Sequence, residues 1–166
     1  MSAALAPPFM VAALVLCVAG LAKLRAPHTA ASALGTGPGV IRALAVGELA
    51  LGLACVAHPT RALASALALL YGLFAIVAAV LRRRRVACGC FGDDDLPVWQ
   101  AHVIASELLC ALAAAAAFAS PRGAGWLASQ PVATGGVLVV GIAASIYATL
   151  LVYVRLPPAW AAWSGE

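Results

Sequence analysis

ALASALALLYGLFAIVAAVLRRRR, residues 62–85, decides the architecture. Residues 62–81 carry no charge, and about 20 helical residues, each rising about 1.5 Å, cross the roughly 30 Å of bilayer hydrocarbon. The run lacks the period-two alternation of a half-buried strand. A helix also satisfies its backbone hydrogen bonds internally where no water can reach. Arg82 to Arg85 then end the run with charges that belong among headgroups. The stretch reads as a transmembrane helix with a strongly basic end.

Four more runs of the same kind flank it, at residues 8–24, 40–57, 98–119 and 132–154. The connections at 25–39, 58–61, 82–97 and 120–131 hold the Pro, Gly and charge that punctuate helices. Of 166 residues, 64% are hydrophobic and 10% charged, a balance foreign to soluble domains, and no segment between the runs can build a second core. The expectation is one integral membrane domain over residues 1–166, an all-α polytopic helix bundle. No charged side chain precedes Lys23, so the first run lacks the basic leader of a secretory signal and reads as a retained span.

Basic residues fall unevenly between the two sides. Lys23, Arg25, Arg42, Arg82, Arg83, Arg84, Arg85 and Arg155 lie on one, Arg61 and Arg122 on the other. The bias predicts an N-terminus outside and a C-terminus in the cytoplasm of the cell inner (plasma) membrane. The net charge of +4 thus reports topology, with lipid headgroups as its partner and no nucleic acid.

Chemistry concentrates after the arginines, at Cys88-Gly89-Cys90-Phe91-Gly92, which is followed by Asp93 to Asp95. Two thiols one residue apart can close a disulfide only through a sharp turn, which Gly89 permits because it has no Cβ. Arginines upstream favour thiolate and the aspartates offset part of their field, so the residues predict an accessible, reactive pair capable of thiol–disulfide exchange. A purely structural role for the two cysteines is the competing reading. A zinc site from Cys88, Cys90, His102 or an aspartate matches no standard four-ligand spacing, and no metal is expected. Asp93 to Asp95 and Pro97 have the character of capping and first-turn residues for the fourth span.

Cys17, Cys55 and Cys110 fall inside spans, where cysteine usually packs as a small apolar residue. Cys110 follows Ser106 and His102 at successive i+4 steps, with Trp99 near the same stripe, a face suited to lining a quinone or thiol pathway. Glu48 and Glu107 lie mid-span. An acid at that depth is expected to face the bundle interior, to be largely neutral unless a cation is near, and to bond across helices to a residue such as Tyr71 or Tyr147.

The Cys88-Gly89-Cys90-Phe91-Gly92 segment after a third span, Gly20-Leu21-Ala22-Lys23-Leu24 closing the first, and Glu48 within residues 45–52 (AVGELALG) together resemble the MauE family of membrane proteins. That family is grouped with DoxX-like four-helix membrane proteins, so the resemblance implies a four-helix core plus a fifth transmembrane helix. It also implies a link to methylamine utilisation and to the formation or processing of disulfides in an exported protein, with other relatives tied to sulfur handling. Cys88 and Cys90 would be the redox pair of a thiol-disulfide oxidoreductase and Glu48 its intramembrane acid. The electron partner would be a thioredoxin-like or other dithiol protein, or a quinone. Exported clients point to the outer face whereas Arg82 to Arg85 point to the cytoplasm. Either the pair meets a cytoplasmic thiol carrier, or residues 86–92 fold back between the helices, shielded by protein. The different-class alternative is a non-catalytic membrane partner or small-molecule carrier that binds ligand at Glu48 and Glu107.

Overall fold

A computed structural model describes residues 3–84 and 98–154. Its seven helices are α1 (Ala6–Arg25), α2 (Pro27–Leu34), α3 (Pro38–Ala57), α4 (Arg61–Arg84), α5 (Gln100–Ala119), α6 (Ala124–Ala128) and α7 (Val132–Val154). Five of them, α1, α3, α4, α5 and α7, are long and apolar enough to cross a membrane, and they fall on the five expected runs. The described chain contains no strand. The polytopic helix bundle is therefore as the sequence predicts. What the sequence reading lacks is α2 and α6, short helices within two of the connections.

Local chemistry sets the helix ends. Proline occupies the first turns of α1, α2 and α3, where its missing N–H leaves no bond unmade. Gly35, with φ 64°, ends α2 in left-handed backbone. The Thr36 N–H then donates to the Ala31 carbonyl at 2.9 Å and the Gly35 N–H to Ser32 at 3.3 Å, the paired bonds of a Schellman stop. At the other end of the bundle Arg61 donates to the Ser120 hydroxyl at 3.0 Å, tying the start of α4 to the end of α5.

α1 is the central element. It packs most extensively on α3 and also meets α5 and α7, while α4 pairs with α5. Some 61% of its apolar window is buried, against 6% for α7, so α7 lies along the outside. Phe9, Val15 and Leu16 of α1 meet Cys55 of α3 and Leu67 of α4 in the core. The Tyr71 hydroxyl of α4 donates to the Ala12 carbonyl at 2.7 Å, joining α4 to α1.

The α1–α3 seam is built from small residues, as expected where lipid supplies no hydrophobic drive between helices and close backbone approach must do so instead. A Cβ on Gly52 would lie 2.5 Å from Cys17 Sγ and 2.7 Å from the Ala13 carbonyl. One on Gly20 would lie 2.9 Å from the Ala45 carbonyl. Both glycines are required by contact, since neither has positive φ. Cys17 and Cys55 are free and buried, filling space in this packing.

Candidate functional site

The same seam carries the buried charges. Lys23 lies one turn beyond Gly20 on α1, and Glu48 one turn before Gly52 on α3, so the close approach of the two helices brings their side chains together. Lys23 Nζ donates to Glu48 Oε1 at 2.5 Å, with both residues buried (7% and 4% exposed). Lys23 Nζ also stands 4.7 Å from the centre of the Phe74 ring, a cation–π contact from α4. The second carboxylate oxygen, Glu48 Oε2, is buried and has no hydrogen-bond partner among the described residues. A polar atom in that condition is costly, and it is the most unusual feature of the site.

Lys23 reaches from this pair into a small cavity of about 40 Å³ in the bundle interior. Its polar lining comes from Lys23, Tyr71, His102, Ser106 and Tyr153, which belong to α1, α4, α5 and α7. The Ser106 and Tyr153 hydroxyls are 3.1 Å apart and hydrogen-bonded. The His102 ring meets the Tyr153 ring edge-on, with centres 5.2 Å apart. The Trp99 N–H donates to His102 Nδ1 at 3.2 Å, so the neutral imidazole carries its proton on Nε2. The cavity can hold a water molecule and has the donors and acceptors to order it.

Several sequence-based expectations change here. Glu48 faces the interior as expected, but its partner is Lys23 and not a tyrosine. Tyr71 is committed to Ala12, and Tyr147 is exposed. The nearby cation on which the expectation of a neutral acid depended is supplied by α1, and proximity across a helix seam is invisible when charges are counted along one helix. Lys23 is accordingly a buried side chain of α1 and leaves the set of loop charges. Glu107 does not face the interior. It is exposed on α5, whose buried positions Ser106, Leu109, Ala113 and Ala116 define a stripe that excludes it.

The stripe of His102, Ser106 and Cys110 divides. Each i+4 step drifts by about 40° around a helix, so two steps carry Cys110 away from the His102 side. His102 and Ser106 line the cavity, whereas half-buried Cys110 packs toward α4 near Gly72. The fourth span, expected from residue 98, begins as a helix at Gln100, with the His102 side chain serving the Trp99 N–H. Cys88, Gly89, Cys90 and Asp93 to Pro97 lie outside the described residues. Among the described residues no group of His, Cys, Asp and Glu is arranged to hold a metal. Lys23, Tyr71 and Tyr153 escaped sequence reasoning as site residues. The spacing of Lys23 from Gly20, one turn along a small-residue face, was the available signal.

Five apolar helices around a buried ion pair and a small interior cavity define a multi-pass membrane protein. The family model described as "Methylamine utilisation protein MauE" matches residues 1–120, nearly three quarters of the chain, and the chain belongs to the MauE family. The match takes in α1 to α5 and stops before α7. Comparison with curated proteins and with solved structures gives no match.

Proposed function

We infer that the protein is a thiol–disulfide redox component of the inner (plasma) membrane, with Cys88 and Cys90 as its exchanging pair. In the forward sense the dithiol gives up two electrons and two protons and gains an S–S bond. A partner disulfide takes up both and opens to two thiols, or a quinone takes them up and becomes hydroquinone. Family membership supports a link to methylamine utilisation; disulfide handling in an exported client is the service this reading assigns to the pair. The domain is single, its N-terminus is outside and its C-terminus cytoplasmic.

The observation that carries this reading is where the chain leaves and rejoins the described bundle. Ala78 and Leu81 at the end of α4 pack with Val98 just before α5, at the same end as Lys23, His102 and Tyr153. Cys88 is four residues from Arg84 and Cys90 six, and a chain spans at most about 3.6 Å per residue, so connectivity limits the two to within about 14 and about 22 Å of that helix end. A dithiol tethered to the bundle end that carries Lys23, His102 and Tyr153 would suit chemistry that moves electrons and protons together.

Thiol trapping in membranes tests it. Cys88 and Cys90 should be alkylated after a pulse of reductant and protected again after its removal, and Cys88→Ser or Cys90→Ser should abolish the cycle while Cys17→Ser leaves it intact. A pair whose state never changes would sink the redox reading in favour of a small-molecule carrier. The unpartnered oxygen of Glu48 favours that second reading; Glu107, exposed on α5, has no part in it.

A further inference from the structure

Lys23 faces a second space besides the interior cavity, and Glu48 lines it too. A groove of about 530 Å³ runs between α2, α3 and α4, and among the described residues Lys23 and Glu48 are its only charged lining residues. The rest of its lining is apolar. Leu34, Val40, Leu44 and Leu73 are among the lining residues and are exposed on the outside of the bundle, so the groove opens toward acyl chains. The volume is that of a small-molecule site.

The polar groups constrain what can dock. Lys23 and Glu48 neutralise one another, so an anionic head would meet the carboxylate and a cationic head the ammonium, each without compensation. A neutral head is therefore selected. Glu48 Oε2 calls for a donor, and the ammonium, with one proton committed to Oε1, has others to give an acceptor. A hydroxyl does both. Phe74 lines the groove beside Lys23 and offers an aromatic surface to a ring.

We propose that this groove binds the hydroquinone form of a membrane quinone, its ring hydroxyl between Lys23 and Glu48 and its apolar tail along α3 and α4. The choice of a hydroquinone among neutral hydroxyl-bearing lipids rests on the redox reading above. The binding event itself transfers no electrons and leaves the ligand unchanged.

Gly47 provides a clean test. It lines the groove, and a Cβ placed there meets nothing within 4 Å, so Gly47→Leu fills the groove without disturbing a packed neighbour. Leucine also favours helix over glycine, so the variant folds. The full chain in lipid nanodiscs is titrated anaerobically with a decyl-substituted benzohydroquinone, and heats are compared with empty discs. Saturable binding is expected, about tenfold or more weaker in Gly47→Leu, and weaker by a similar factor for the dimethyl ether of the same ligand, which cannot donate. Absence of saturable binding, equal affinity in Gly47→Leu, or equal affinity for the dimethyl ether would each overturn the site. The titration is repeated with Cys88→Ser/Cys90→Ser, where binding should persist. Thiols that cycle in a protein that binds no hydroquinone would remove the groove and leave the redox reading standing. Saturable binding to a protein whose thiols never cycle would do the reverse.

Discussion

Replacing Lys23 with methionine keeps the length of the side chain and removes its charge, leaving Glu48 buried against apolar neighbours. At the observed separation of 2.5 Å the two charges attract by about 7 kcal/mol at an effective dielectric constant of about 20. Removing two ions from water costs several kcal/mol each, so the intact pair contributes close to nothing net, while breaking it costs about 3–5 kcal/mol. Lys23→Met should fall in that range. Glu48→Leu should cost less, because Lys23 is near the end of α1 and can swing its ammonium toward the headgroups, whereas Glu48, mid-helix in α3, cannot reach them. The double variant Lys23→Met/Glu48→Leu should recover most of the loss and unfold within about 1 kcal/mol of wild type. Unfolding by SDS in mixed micelles, followed by far-ultraviolet circular dichroism, gives all four corners of the cycle. If the single losses simply add in the double variant, to within about 0.5 kcal/mol, the two side chains are not coupled and the account of the site fails.

Gly52→Val should destabilise the bundle by about 1–3 kcal/mol in the same assay, because its Cβ would meet Cys17 Sγ and the Ala13 carbonyl and force α3 off α1; unchanged stability would mean the seam is looser than it stands. Reporters fused after Glu166 should be active only when the reporter functions in the cytoplasm, and an active periplasmic reporter there would overturn the proposed orientation.

The five spans were legible because hydrophobic run length is a one-dimensional property, and the bilayer imposes it on each helix separately. α2 was not, since residues 27–34 cover barely two turns, too few to establish a period, and its stop depends on left-handed Gly35. Glu48 could be singled out as an acid in hydrocarbon; its partner could not, because pairing depends on which helices touch. Lys23, at the end of the first run, was counted only with the basic residues of one side, and the same residue proved to be the cation of the site because its side chain turns into the seam with α3. Glu107 failed for the converse reason. Mid-span depth is visible in sequence, but facing is set by the stripe a helix buries, and the alanine-rich α5 has apolar residues on every side, so its periodicity is weak.

The ion pair is not explained by stability. An apolar pair of similar volume would fill the seam between Gly20 and Gly52 at equal or better stability, since the cost of desolvating both charges would vanish. Nor does the pair use all its hydrogen-bonding capacity, for Glu48 Oε2 is left over. What the pair does achieve is positional. Lys23 lines both the interior cavity, with His102, Ser106 and Tyr153, and the groove that opens toward lipid, so one side chain stands between the bundle's interior polar groups and its apolar exterior. A neutral, hydroxyl-bearing molecule entering from the bilayer would meet its first polar contacts there, and the groups behind Lys23, hydroxyls and an imidazole, are of the kind that pass protons. Under the proposed redox role, that placement would give two charges that folding alone would discard a use at this position.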